Sequence, residues 1–260
     1  MFETAEIEDN KGVATIWMNR PDVHNAFNAQ VIADLTNAFR TLAAMDSVRI
    51  VILAGRGKSF SAGADLHWMK AAGEASFEAN LDDARRLTAM LRTLAELTKP
   101  TIARVQGAAL GGGMGLAAAS DICVASTKAS FATSEVKFGI IPSAISPYVV
   151  RAIGARQSAR YFQTAERIDA RRAHEIGLVH EVVDDERLDV AIAEIVGALR
   201  VGGPKAQTAA KSLIRGVANR PIDDALVEET AHRIAVLRAT PEAKEGLAAF
   251  LTKRPAHWIT

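Results

Sequence analysis

Apolar positions along the first half of the chain alternate between two periods, and each change of period marks an element. Val13 to Met18 reads as a strand that Arg20-Pro21 ends. Asn28 then offers a cap to a helix whose apolar face is Val31, Ile32, Leu35, Phe39 and Leu42. Ile50 to Leu53 is a short β-branched run bounded by Gly55 and Gly57, the pattern of a buried strand. A second amphipathic helix is predicted with Leu81, Ala84, Leu87, Leu91 and Leu94 on one face, closed by Lys99-Pro100. Thr101 to Val105 follows as a strand, Met114 to Ala119 as the start of a helix, and Ile122 to Ala125 as the next strand. Asp169 is placed to cap a helix that Gly177 ends.

Strands and helices interleave to about residue 185, so the fold class is α/β. Beyond that point the pattern is helical only, over Pro204 to Ile214 and Asp223 to Leu251. Composition supports a globular chain: 49% of the 260 residues are hydrophobic and 23% charged. With a formal net charge of +1, no general field attracts nucleic acid or an anionic membrane. Any anion must be held locally. The single cysteine, Cys123, sits in an apolar run, which excludes an internal disulfide and fits a buried thiol in a reducing compartment. The acidic N-terminus has neither a basic nor an apolar leader region. The longest uncharged stretch, Val105 to Ser120, falls short of the ~20 residues of a membrane span and is broken by glycines. The expected location is therefore cytoplasmic.

Two loops are candidates for chemistry: Gly57 to Asp65 and Gly107 to Gly115, each following a strand. Three consecutive glycines, Gly111 to Gly113, allow backbone N–H groups to approach a ligand closely. No Lys-Ser/Thr pair follows them and no dinucleotide fingerprint surrounds them, which argues against phosphate cradles. Two N–H donors from separate loops suit a developing oxyanion, while tight helix–strand packing is the alternative use of the glycines. Glu135 stands out among the acids, because Phe131, Val136, Phe138, Ile140 and Ile141 surround it in sequence. Such a carboxylate has a raised pKa and can exchange a proton near neutrality; a solvated or salt-bridged glutamate is the plainer alternative. The six histidines lack zinc-ligand spacing, and no nucleophile elbow is present. No metal site is expected.

Across nearly its whole length the chain resembles the enoyl-CoA hydratase/isomerase (crotonase) superfamily. The matching segments are Asn19 to Phe27, Phe60 to Leu66, Gly107 to Gly113, Asp121-Ile122, Phe131 to Pro142, Ala173 to Val179 and Glu245 to Arg254. The resemblance implies a spiral core of ββα repeats over residues 1–195, which carries the acyl-CoA site. A C-terminal helical region over 196–260 serves trimer formation, often within a dimer of trimers. It assigns the N–H groups of Ala64 and Gly112 to the thioester oxygen and acid–base work to Glu135. It places the CoA moiety against Val23, His24, Ala26, Ala62, Asp65 and Leu66, with Phe250 and Lys253 reaching a neighbouring subunit's CoA. No separate cofactor is implied, since coenzyme A is part of the substrate; nucleic acid and membrane are not expected partners.

One departure bears on the reaction. Hydratases resembling this chain carry two glutamates around the water; Glu135 matches the second, and Gly115 stands at the first. Many relatives also have a glycine-rich Thr-Gln-Arg-Leu type segment after the proline, where this chain has Ile141-Pro-Ser-Ala-Ile-Ser-Pro-Tyr-Val-Val-Arg-Ala-Ile-Gly154. That variant, with Asp65 to Lys70, resembles bacterial 3-methylglutaconyl-CoA hydratases of leucine breakdown. It leads to the expectation of a hydratase acting on a branched or carboxylated enoyl-CoA, with Lys137, Ser143, Ser146 and Tyr148 able to meet a distal carboxylate. A single-glutamate Δ3–Δ2 enoyl-CoA isomerase and a non-catalytic acyl-CoA-binding relative are the alternatives.

Overall fold

The computed structural model describes residues 2–259. Its main sheet has six strands. These are β1 (Ala5–Asn10), β2 (Val13–Met18), β3 (Ile50–Gly55), β4 (Thr101–Val105), β6 (Ile122–Ser126) and β9 (Glu181–Val183), in the order β1-β2-β3-β4-β6-β9. Within this sheet β1 and β2 are antiparallel, and the other described pairings are parallel. Strand β2 shows period two, with Ala14, Ile16 and Met18 buried and the residues between them half-exposed. All six residues of β3 are buried, the continuous apolar run expected of a covered parallel strand.

Helices α1 (Ala29–Ala44), α3 (Phe77–Ala95) and α4 (Gly112–Ala119) carry the chain between parallel strands, with α2 (Leu66–Glu74) ahead of α3. Asn28 caps α1 by accepting from the Val31 N–H at 2.9 Å, and the five apolar residues expected on its inner face are all buried. For α3 the expected face needs correction. Leu91 and Leu94 are buried together with Met90, but Leu81 and Ala84 are exposed, so only the second half of this helix reaches the core. Helix α4 begins at Gly112, two residues before its expected start, because the Gly111 turn already opens it.

A smaller sheet, β5 (Ala108–Leu110), β7 (Ser130–Ala132) and β8 (Ile168–Asp169), lies in the order β5-β7-β8. Helix α5 (Ser146–Thr164) precedes β8, and α6 (Ala170–Glu175), capped by Asp169 and followed by Gly177 at φ 87°, precedes β9. Successive strand–helix turns therefore build an α/β core.

The chain divides into two compact units. The first runs to Ala193, apart from Thr98–Pro100; the second comprises Thr98–Pro100 and the chain from Glu194. After α7 (Leu188–Val201), the second unit contains α8 (Pro204–Val217), α9 (Asp224–Arg238) and α10 (Pro241–Leu251). Glu242 caps the start of α8 by accepting the N–H groups of Lys205 and Ala206 at 3.0 and 2.8 Å. No described helix is long and apolar enough to cross a membrane.

Asp34 ties the N-terminus to α1. Its carboxylate accepts the Thr4 N–H and hydroxyl, both at 2.8 Å, and the Glu3 N–H at 2.9 Å. Burial alone would raise its pKa, but these hydrogen bonds outweigh it and hold the carboxyl below the usual range. A depressed folded-state pKa gives stability that is present above the unfolded value and lost as pH falls through the folded value. Asp34→Ala is therefore expected to cost about 2–4 kcal/mol at pH 7, since it orphans four donors, the Gln30 amide among them. The gap from the parent should begin to narrow below about pH 4, as pH falls from the unfolded value toward the lower folded one. Urea melts at pH 7 and pH 3.5 measure both; an equal deficit at the two pH values would show that the carboxylate charge is not the cause.

Candidate active site

The loop after β2 is organised by a buried asparagine. Asn25 accepts the Arg20 N–H at 2.8 Å and donates to the carbonyls of Arg56 and Ser59, both at 2.9 Å. It holds φ 54°, a left-handed conformation that asparagine tolerates better than most residues. Arg20 extends the tie, donating to the Ala26 carbonyl at 2.6 Å and to Asp65 at 2.9 Å. Burial would raise the Asp65 pKa, but Arg20 and the N–H groups opening α2 hold it low. Its carboxylate also caps α2 through the His67 N–H.

These contacts set the first candidate donor. Phe27 donates to the Gly63 carbonyl at 2.7 Å and accepts from the Asp65 N–H at 2.8 Å, a short parallel bridge opposite Ala64. Alternation along an extended chain turns the Ala64 N–H to the other edge. Ala64 is exposed, and among the described residues its N–H meets no acceptor.

The second donor comes from the glycine-rich loop. Ser61 pairs with β5, donating to the Ala108 carbonyl and accepting from Leu110 N–H, both at 2.9 Å. Its hydroxyl donates to the Asn25 carbonyl at 2.8 Å, so both loops hang from one scaffold. Gly111, at φ 48°, turns the chain into α4 without a capping side chain, leaving the first-turn N–H of half-buried Gly112 without an acceptor among the described residues. A Cβ built on Gly111 would lie 3.2 Å from Glu135 Oε1 and 3.9 Å from the Gly63 Cα. The two loops and the glutamate therefore converge.

Glu135 opens a short 3-10 turn, Glu135–Phe138. Its Oε2 is buried without a hydrogen-bond partner among the described residues, and burial raises its pKa. The solvated or salt-bridged alternative does not describe it. An apolar setting that favours the neutral carboxyl makes it a proton carrier, and the open N–H groups beside it suit an oxyanion.

The remaining expected residues divide. Val23, His24 and Leu66 are exposed and Ala26 is buried; Ala62 donates to the His24 carbonyl at 2.9 Å. Phe250 and Lys253 belong to the second unit, exposed at the end of α10. Lys137 is exposed, and the Ser146 hydroxyl is engaged by the Ser143 carbonyl. Tyr148 packs partly against the core, with Glu96, Arg151 and Arg92 nearby. Cys123 is buried and its thiol is pushed up to about 12 by burial, which keeps it inert as a nucleophile. The scaffold residues Arg20, Asn25 and Ser61 were not read from the sequence as functional. The signal for the first two is the polar cluster Asn19 to Asn25 between a strand and a helix.

A separate cavity of about 540 Å³ is lined by Trp17, Arg56, Lys58, Arg104, Lys128 and Asp185, among others. Arg56 is held by Glu6 and Glu8, Arg104 by Asp189, and Lys128 by Asp185. That internal neutralisation argues against an anion site, and none of the convergent groups described above lines the cavity.

Comparison with known proteins supplies the family. The enoyl-CoA hydratase/isomerase family model matches residues 8–260. Crotonyl-CoA hydratase of Syntrophomonas wolfei is 33% identical over 100% of this chain and 99% of its own length. Enoyl-CoA hydratase ACTT6 of Alternaria alternata is 33% identical over 94% of this chain and 80% of its own. The crystal structure of an enoyl-CoA hydratase from Shewanella pealeana superposes with a TM-score of 0.96 at 41% identity, covering 99% of this chain and 96% of that one. Similarity on this scale reaches from β1 to the last helix, and the chain belongs to the enoyl-CoA hydratase/isomerase family as an enzyme of the enoyl-CoA hydratase type.

Proposed function

We propose that the protein hydrates the 2,3 double bond of an enoyl-CoA that is branched or carries a distal carboxylate, as 3-methylglutaconyl-CoA does. The observation that carries the reading is the convergence of the Ala64 and Gly112 loops on Glu135, whose Oε2 is buried and unpartnered. Glu135 takes a proton from water as the water oxygen bonds to C3. The π electrons move to the thioester oxygen, where the Ala64 and Gly112 N–H groups hold the enolate. Glu135 then returns the proton to C2, so one carboxylate balances the addition. Each N–H donor is worth about 3 kcal/mol in the transition state.

Val23, His24, Ala26, Ala62, Asp65 and Leu66 would hold the CoA moiety by backbone and short side-chain contacts, with Phe250 and Lys253 serving a neighbouring copy in a trimer or hexamer. Exposed Leu247, Phe250 and Leu251 support self-association, since burying them against another copy removes apolar area from water. The Ile141 to Gly154 variant, with Ser143 exposed within it, supports a carboxylated substrate.

Purified protein is expected to consume both 3-methylglutaconyl-CoA and crotonyl-CoA, read as loss of conjugated thioester absorbance, with kcat/KM at least ~10-fold higher on the carboxylated substrate, the worth of one charged hydrogen bond. Equal turnover would reject the carboxylate preference; no turnover of either would reject hydration. Gly115 favours one second reading, a Δ3–Δ2 isomerase in which Glu135 moves a proton between carbons. Conversion of 3-enoyl to 2-enoyl-CoA without hydration would establish it.

A further inference from the structure

We propose that Ile145 and Gly115 form one size-matched pair that keeps any second carboxylate out of the site and leaves Glu135 as its sole acid–base group. The inference rests on the reading of Glu135 as proton carrier. Gly115 lies one helical turn beyond Gly111, donating its N–H to the Gly111 carbonyl at 3.0 Å. Gly111 is the residue whose Cα faces Glu135. A side chain at 115 would therefore start within a turn of the glutamate. The space is taken: a Cβ built on Gly115 would lie 2.3 Å from Ile145 Cγ2 and 2.9 Å from its Cβ, with Leu91 Cδ2 at 3.6 Å.

Ile145 is poorly able to yield. It is 2% exposed, belongs to the core cluster and immediately precedes α5, where its carbonyl accepts the N–H groups of Tyr148 and Val149. A β-branched side chain is stiff at χ1, and a close-packed core does not admit extra volume without strain. Truncation to alanine leaves the Cβ in place at 2.9 Å, so glycine at 145 is the partner that position 115 requires. Ile145 thus fills the space that a side chain at 115 would need.

A reciprocal exchange tests this. Gly115→Ala and Gly115→Glu are each expected to lower the melting temperature, by roughly 3–10 °C for the alanine variant. Gly115→Glu combined with Ile145→Gly should melt at least ~5 °C above Gly115→Glu alone. The double variant should also gain a second acid limb in the pH profile of kcat/KM on crotonyl-CoA, because two carboxylates sharing an apolar site ionise in separate steps. Single variants that melt like the parent overturn the proposal. So does a double variant no more stable than Gly115→Glu, or a folded one whose profile matches the parent's. The melting series decides the pair without reference to catalysis; a parent inactive on every enoyl-CoA would reject the hydratase reading and leave the packing result standing.

Discussion

Replacing Glu135 by glutamine is expected to slow hydration by roughly 10²–10⁴-fold while leaving the fold intact. A thousandfold loss corresponds to about 4 kcal/mol of barrier. Glutamine keeps the size and one acceptor but can neither take the proton of water nor return one to C2. The same burial that suits Glu135 to the task fixes a pH signature. Its pKa is raised because burial desolvates the charged form, a cost that its own backbone N–H offsets only in part. The acid limb of kcat/KM should therefore lie above the ordinary carboxylate range, and should vanish in the variant's residual rate. Stability should move the other way. A raised folded-state pKa means a contribution that is present below the unfolded value and lost as pH rises through the folded value. The parent thus carries an ionisation penalty at neutral pH that glutamine removes. Glu135→Gln is expected to melt at or above the parent at pH 7.5, with the advantage shrinking toward pH 4. Steady-state kinetics and calorimetry at both pH values read these effects. Activity within threefold of the parent would remove Glu135 from the mechanism, and a lower melting point at pH 7.5 would make it a structural residue instead.

Much of this was legible in the chain, for reasons that differ by element. Helix α1 could be read because cap and apolar period agree: Asn28 caps it, and Val31 to Leu42 supply a face that is buried in full. Helix α3 misled at its start, since Leu81 and Ala84 continue the period beyond the part that finds a partner; periodicity reports what could be buried, not how far the neighbour extends. Strands β5, β7 and β8, of three, three and two residues, are too short to carry a period. The donor loops were visible through their glycines, but Asn25 and Arg20 were not, because they bind partners distant in sequence, the Arg56 and Ser59 carbonyls for one and the Asp65 carboxylate for the other. Gly115 was visible as a departure; that Ile145 fills its space depends on a contact thirty residues away, which no local pattern encodes.

The sharpest test of the oxyanion donors uses two substitutions at one glycine. Gly112→Pro is expected to lower kcat by roughly 10²–10³-fold, the cost of losing one such donor. Gly112→Ala should cost only a few-fold. Proline is well tolerated at the first position of a helix, where the N–H has no intrahelical acceptor, so α4 should persist without the donor. Alanine retains that N–H yet adds the same Cβ, which would sit 3.1 Å from the Phe27 ring. Crowding against Phe27 is thus common to both variants, and the ratio between them isolates the hydrogen bond. Because the N–H meets charge that develops as the enolate forms, the loss should fall on kcat more than on KM. The melting points of the two variants should agree within a few degrees, which checks that each is folded. Equal damage in both would assign the effect to Phe27 and strip Gly112 of its role. A proline variant impaired chiefly in KM would make the N–H a ground-state contact for the substrate. Only a large kcat gap between two comparably stable variants supports an N–H aimed at the transition state, and with it the reason this loop opens a helix on glycine.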